Sequence, residues 1–74
     1  MKRNKDKIEK HPREFWINAI AQWVNDEKAR YCLVRRYLDG ITCFDIGEEL
    51  NISESTVNRK IKKYEKILFE HIND

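Results

Sequence analysis

The chain has 74 residues, 38% of them charged and 41% hydrophobic, with two cysteines, two glycines and one proline. A chain this short makes one domain with a small core, burying only about 60 to 65% of the surface its unfolded form exposes. No stretch approaches the roughly 20 apolar residues that span a bilayer, so no membrane partner is expected. Cys32 and Cys43 stand alone, without the second pair that a metal site needs, and read as reduced, packed thiols of a cytoplasmic protein rather than a disulfide.

The formal net charge of +2 conceals an uneven distribution. Residues 1 to 13 carry Lys2, Arg3, Lys5, Lys7, Lys10 and Arg13 against Asp6 and Glu9. Residues 53 to 66 carry Arg59, Lys60, Lys62, Lys63 and Lys66 against Glu54 and Glu65. Clustered cations suit phosphate contacts, the main source of sequence-independent affinity for DNA, although a merely solvated surface looks the same in composition.

In chain order, residues 1 to 11 are charged and nearly devoid of large apolar groups, and read as a flexible basic arm; residues 12 to 74 form the domain. Pro12 suits the first turn of a helix, where its missing N–H costs nothing. Trp16, Ala19, Ile20 and Trp23 then follow the i, i+3, i+4, i+7 spacing of a first helix over about 12 to 24. Asn25 or Asp26 caps a second helix that runs to about Leu38, with Ala29, Cys32, Leu33 and Tyr37 inward. Asp39-Gly40 ends it, glycine taking the left-handed conformation beyond the last turn. Thr42 caps a third helix to about Leu50, which buries Phe44 or Ile46. Ser53 caps a fourth that reaches Ile72. No repeat and no β pattern is present, so the fold class is all-α, a four-helix domain with a long C-terminal helix.

The segment from Cys43 to Ile61 is the informative one. Gly47 is placed where two short helices approach closely, and Asn51 occupies the turn between them, where a left-handed backbone favours Gly or Asn. Ile46, Leu50, Ile52, Val57 and Ile61 fall inward, leaving Glu54, Ser55, Asn58, Arg59 and Lys62 outward on the second helix of the pair. This is the pattern of a helix-turn-helix over about 42 to 63, whose second helix enters the major groove. An ordinary helical hairpin would show each of these features singly, but not all of them beside a basic exposed face.

Arg36-Tyr37-Leu38-Asp39-Gly40-Ile41-Thr42, followed by Asp45-Ile46-Gly47, Leu50-Asn51-Ile52-Ser53 and Thr56-Val57, resembles the last DNA-binding domain of bacterial sigma factors, region four, and in its later part the LuxR-type output domain. The resemblance covers roughly residues 28 to 65. Gly47 stands where that family has alanine and Asn51 where it has glycine, both physically mild exchanges. A chain of this length has no room for the promoter-melting domain of a sigma factor, so the resemblance implies a stand-alone transcription regulator, as in phages and mobile elements, acting in the cytoplasm of a bacterial cell.

The DNA-binding candidates are Thr42, Ser53, Ser55, Thr56, Asn58, Arg59, Lys60, Lys62 and Lys63. Arg59 suits bidentate contact with guanine and Asn58 with adenine. Ser55 and Thr56 suit phosphate, unless Thr56 only braces the first turn. Thr42 offers a phosphate anchor at a helix N-terminus, while Lys60, Lys62 and Lys63 add non-specific attraction. Trp16, Ile20 and Trp23 on the first helix, with Tyr64, Leu68 and Ile72 on the last, form a seam that favours a homodimer over the alternative in which the same side chains fill a monomer core. Trp16 and Trp23 suit core packing better than base stacking. Asp45, Glu48 and Glu49 are a solvated face or a contact to RNA polymerase.

His11 and His71 lie in no metal or catalytic pattern. No nucleophile–base pair or phosphate-cradling loop appears, so neither an enzyme, a cofactor nor a small-molecule substrate is implied. Double-stranded DNA is the expected partner. The competing readings are an adaptor that docks on RNA polymerase or another phage protein, and an excisionase-like architectural DNA binder.

Overall fold

The computed structural model describes residues 8–72, which form four helices joined by short connections. Helix α1 (Arg13–Trp23) starts one residue after Pro12, which sits in extended conformation at the cap. It buries Trp16, Ala19 and Ile20, and Val24 immediately beyond it is also buried. Its C-terminal end is closed by a side chain from the next helix. The Arg30 guanidinium donates through Nε to Val24 O at 2.6 Å and through Nη2 to Ala21 O at 2.9 Å, satisfying carbonyls that a helix end leaves without partners.

Of the two expected caps for α2 (Glu27–Leu33), the chain uses Asp26, whose Oδ1 accepts from the N–H groups of Lys28 and Ala29. The helix continues to Leu38 as expected in extent but changes type, Val34–Leu38 forming a π-helical turn. Asp39 N donates to Val34 O and Ile41 N to Arg35 O, so the widened turn keeps its bonds as the chain leaves through Gly40 at φ 71°. Helix α3 (Cys43–Leu50) and helix α4 (Glu54–His71) follow, each with its predicted cap.

The core is one cluster. Trp16, Val24, Ala29, Cys32, Leu33, Ile46, Val57 and Leu68 are fully buried, drawn from all four helices. Burying an aliphatic or aromatic side chain of this kind contributes about 1.5–3 kcal/mol, so these positions dominate stability. Of the two candidates on α3, Ile46 is the buried one. Phe44 is 57% exposed, pointing away from the face that α4 covers.

Two expectations change here. Residues 8 to 11, read as part of an arm, pack on the domain: Ile8 is buried, its carbonyl accepts from the Trp16 indole at 2.8 Å, and His11 stacks on Phe15. The rest of the proposed arm, residues 1–7, lies outside the described residues. The seam assigned to a homodimer is filled within one chain, because Trp16, Ile20, Leu68 and Ile72 are all buried in the core. Trp23 and Tyr64 are half-buried, and Trp23 stacks on His71 with centroids 3.8 Å apart. The amphipathic stripes of α1 and α4 therefore face each other. Among the described residues no helix is long and apolar enough to cross a membrane.

Candidate nucleic-acid interface

Helices α3 and α4 are set by four local devices. Thr42 Oγ1 accepts from Asp45 N at 3.2 Å and starts α3. Asn51 ends it in the left-handed conformation at φ 60°, which its short polar side chain tolerates. Ser53 Oγ accepts from Thr56 N at 3.1 Å and starts α4. Gly47 lets the two elements touch: a Cβ there would stand 2.7 Å from Ile52 O, too close for any carbon. The exchange of alanine for glycine is therefore not mild at this position, and the turn packs more tightly than an alanine would allow.

Val57, Ile61 and Leu68 hold α4 to the core, which turns the opposite face outward. Glu54, Ser55, Asn58, Arg59, Lys62 and Lys63 are all exposed on it. Arg59 and Lys63, one helical turn apart, line a groove with Thr56, Lys60, Tyr64 and Asp26. Apart from the Glu54 carboxylate, which only accepts, this face carries an amide, a hydroxyl, a guanidinium and two ammonium groups, which can donate hydrogen bonds to base edges and phosphates together.

Lys60, Thr56, Ser53 and Thr42 are engaged inside the protein. Lys60 turns toward α2, its Nζ 2.7 Å from Asp26 Oδ2. Asp26 thus caps α2 with one oxygen and anchors α4 with the other, and the Lys60 ammonium holds its carboxyl below the usual carboxylate range. Thr56 is half-buried and its Oγ1 lies 2.9 Å from Ser53 Oγ, so Ser53 and Thr56 brace the first turn of α4. Thr42 is exposed at the start of α3, its hydroxyl accepting from Asp45 N.

Some functional neighbours escaped the sequence reading. Cys43, read only as a packed thiol, lies half-buried at the first position of α3, with Sγ 3.2 Å from Asn58 Oδ1. Glu49, read as a solvated or polymerase-facing acid, is held by Arg35, which donates from Nε to Oε1 at 3.0 Å and from Nη2 to Oε2 at 2.6 Å. Tyr31 donates to the same Oε1 at 2.7 Å. Arg35 also reaches Asp39, which receives Arg13 from α1. The chain of pairs ties α1, α2 and the turn after it to α3 and fixes the platform on which α4 sits. It keeps Glu49 and Asp39 below their ordinary carboxylate range through their arginine partners. Apart from Arg35–Asp39, which are four residues apart, the partners lie 14 or more residues apart in sequence, so no helical periodicity could reveal them.

A family model for the homeodomain-like domain matches residues 24–67. The chain belongs to this homeodomain-like helix-turn-helix family. The matched span begins at Val24 and takes in α2, α3 and most of α4; α1 lies outside it and contributes the buried Trp16 and Ile20 to the shared core. No curated protein and no solved structure matches the chain.

Proposed function

We propose that the chain is a sequence-specific regulator of transcription that binds double-stranded DNA by laying α4 in the major groove. The observation that carries this reading is the outward face of α4. Ser55, Asn58, Arg59, Lys62 and Lys63 project from a helix whose start is fixed by Ser53, Asn51 and Gly47, while its other face is locked into the core. In this arrangement Arg59 contacts guanine, Lys62 and Lys63 contact phosphate, and the N-terminus of α3 at Thr42 supplies a second backbone anchor. Lys60 serves the platform in place of the DNA. Within the homeodomain-like family, the run Arg36-Tyr37-Leu38-Asp39-Gly40-Ile41-Thr42 and its continuation favour a relationship to sigma region four and LuxR-type domains, and with it a bacterial or phage setting.

One observation favours a second reading, docking on RNA polymerase. Phe44 is exposed on α3 beside the exposed Asp45 and Glu48, an aromatic among acids that suits a protein partner. The two readings differ in their response to salt, since counterion release weakens DNA binding steeply and an apolar interface only slightly.

The deciding experiment is selection from random duplexes, followed by sequencing, at two salt concentrations, for the wild type and for Arg59→Ala combined with Asn58→Ala. An enriched motif that the double substitution erases supports the regulator. The absence of enrichment and of salt-sensitive binding sinks it in favour of the adaptor. A two-fold symmetric motif restores the homodimer through a surface other than the buried seam, whereas a single half-site means one domain per site.

A further inference from the structure

The bond between Cys43 and Asn58 spans the two helices of the motif and ends on a base-facing side chain. Cys43 is the first residue of α3 and Asn58 lies in the second turn of α4, and their contact is Sγ to Oδ1 at 3.2 Å. A thiol carries one hydrogen and its sulfur is a weak acceptor, so the S–H donates and the amide oxygen accepts. The amide is planar, with oxygen and nitrogen on diverging bonds. With Oδ1 directed at α3, Nδ2 lies on the other branch of the amide and is left to the exposed surface of α4, where Asn58 itself, Ser55, Arg59 and Lys62 are exposed.

That orientation decides what Asn58 is able to read. Bidentate recognition of adenine needs the side chain to accept from N6 and donate to N7 at once, with both amide atoms facing the base. An amide that shows only its two N–H donors matches instead an edge with two acceptors, and guanine alone offers that pair, O6 and N7, in the major groove. Resting on the DNA-binding reading above, we propose that Cys43 is a specificity-positioning residue, its thiol holding the Asn58 amide nitrogen-outward so that Asn58 selects guanine. The adenine contact suggested by residue type alone is replaced.

The test is the same random-duplex selection, run on the wild type, Asn58→Ala, Cys43→Ala and Cys43→Ser. Asn58→Ala locates the base position through the preference it removes. Guanine is expected there in the wild type and in Cys43→Ser, whose hydroxyl still donates. In Cys43→Ala the amide is free to turn, and the ratio of guanine to adenine falls about five-fold or more. Alanine is the strongest helix former, so α3 persists in that variant, and circular dichroism confirms it. Adenine or cytosine at the Asn58 position of the wild type overturns the inference, as does an unchanged preference in Cys43→Ala or an Asn58→Ala that alters no position. If the wild type enriches no motif at all, the DNA-binding reading itself fails, whereas a clear motif indifferent to Cys43 removes the positioning role alone.

Discussion

Asp26 divides its carboxylate between two helices: Oδ1 caps α2 through Lys28 N and Ala29 N, and Oδ2 holds Lys60 of α4 at 2.7 Å. The two functions separate by substitution. Asp26→Asn keeps an oxygen for the cap and loses the charge, costing no more than an exposed ion pair, about 0.2–1 kcal/mol. Asp26→Ala loses the cap as well and costs about 1–2 kcal/mol in total. Chemical denaturation of both variants checks the order, and equal losses would mean that the cap contributes nothing.

Acid should act through the same residue. The carboxyls of Asp26, Asp39 and Glu49 are all lowered by their cationic partners. A depressed carboxylate contributes stability that is present above its unfolded value, near pH 4, and lost as pH falls through the folded value. Melting temperature is therefore expected to hold between pH 7 and pH 5 and to drop below about pH 4, with a shallower drop in Asp26→Asn. A melting temperature unchanged down to pH 2 would contradict these pairings.

Salt dependence should sort the lysines. Each phosphate contact removed lowers the slope of log affinity against log salt by about 0.9. Lys62→Ala and Lys63→Ala are expected to show that reduction by fluorescence anisotropy. Lys60→Ala should leave the slope near the wild-type value and lower the melting temperature instead, because its ammonium belongs to Asp26.

Gly47→Ala tests the close approach in the turn. Forcing a carbon against Ile52 O, where only 2.7 Å is free, costs about 1–3 kcal/mol as overpacking. The better helix propensity of alanine returns up to about 1 kcal/mol, so a net loss near 1 kcal/mol is expected in denaturant titration. A gain in stability would show that the turn opens freely.

Thiol chemistry distinguishes the two cysteines. Cys32 is fully buried, and that burial pushes its thiol up from the ordinary range, whereas Cys43 is only half-buried. Mass spectrometry after brief alkylation should find Cys43 modified and Cys32 untouched until denaturant is added. Equal labelling would show that the core opens readily.

Much of this architecture is legible in the sequence because helix ends are decided locally. A Ser, Thr or Asp placed before an apolar repeat caps within three residues, and Thr42, Ser53 and Asp26 all do so. The contacts that misled are those whose partner is far along the chain. A basic stripe on α4 shows that Lys60 is on the surface, but not that Asp26 waits 34 residues earlier to take it. Periodicity likewise shows that Leu68 and Trp16 need a cover without showing whether it belongs to the same chain. Phe44 and Ile46 were equally plausible core residues, since an eight-residue helix is too short for its pattern to choose a face. The amide of Asn58 is an extreme case: its type suits base contact, while its Oδ1 lies 3.2 Å from a thiol on another helix that no spacing announces.

The 18 residues of α4 extend about 27 Å, and one unbroken rod carries both the exposed polar face near Ser55 and the buried Leu68 near its end. A lever of that kind has no joint between its tip and its root. If that face reads DNA as proposed, it is presented ready-made on a helix anchored in the core, so little ordering entropy is spent on contact. On that reading, a signal that silences the protein acts by blocking the rod or displacing the domain, because the helix offers no joint about which its tip alone could turn.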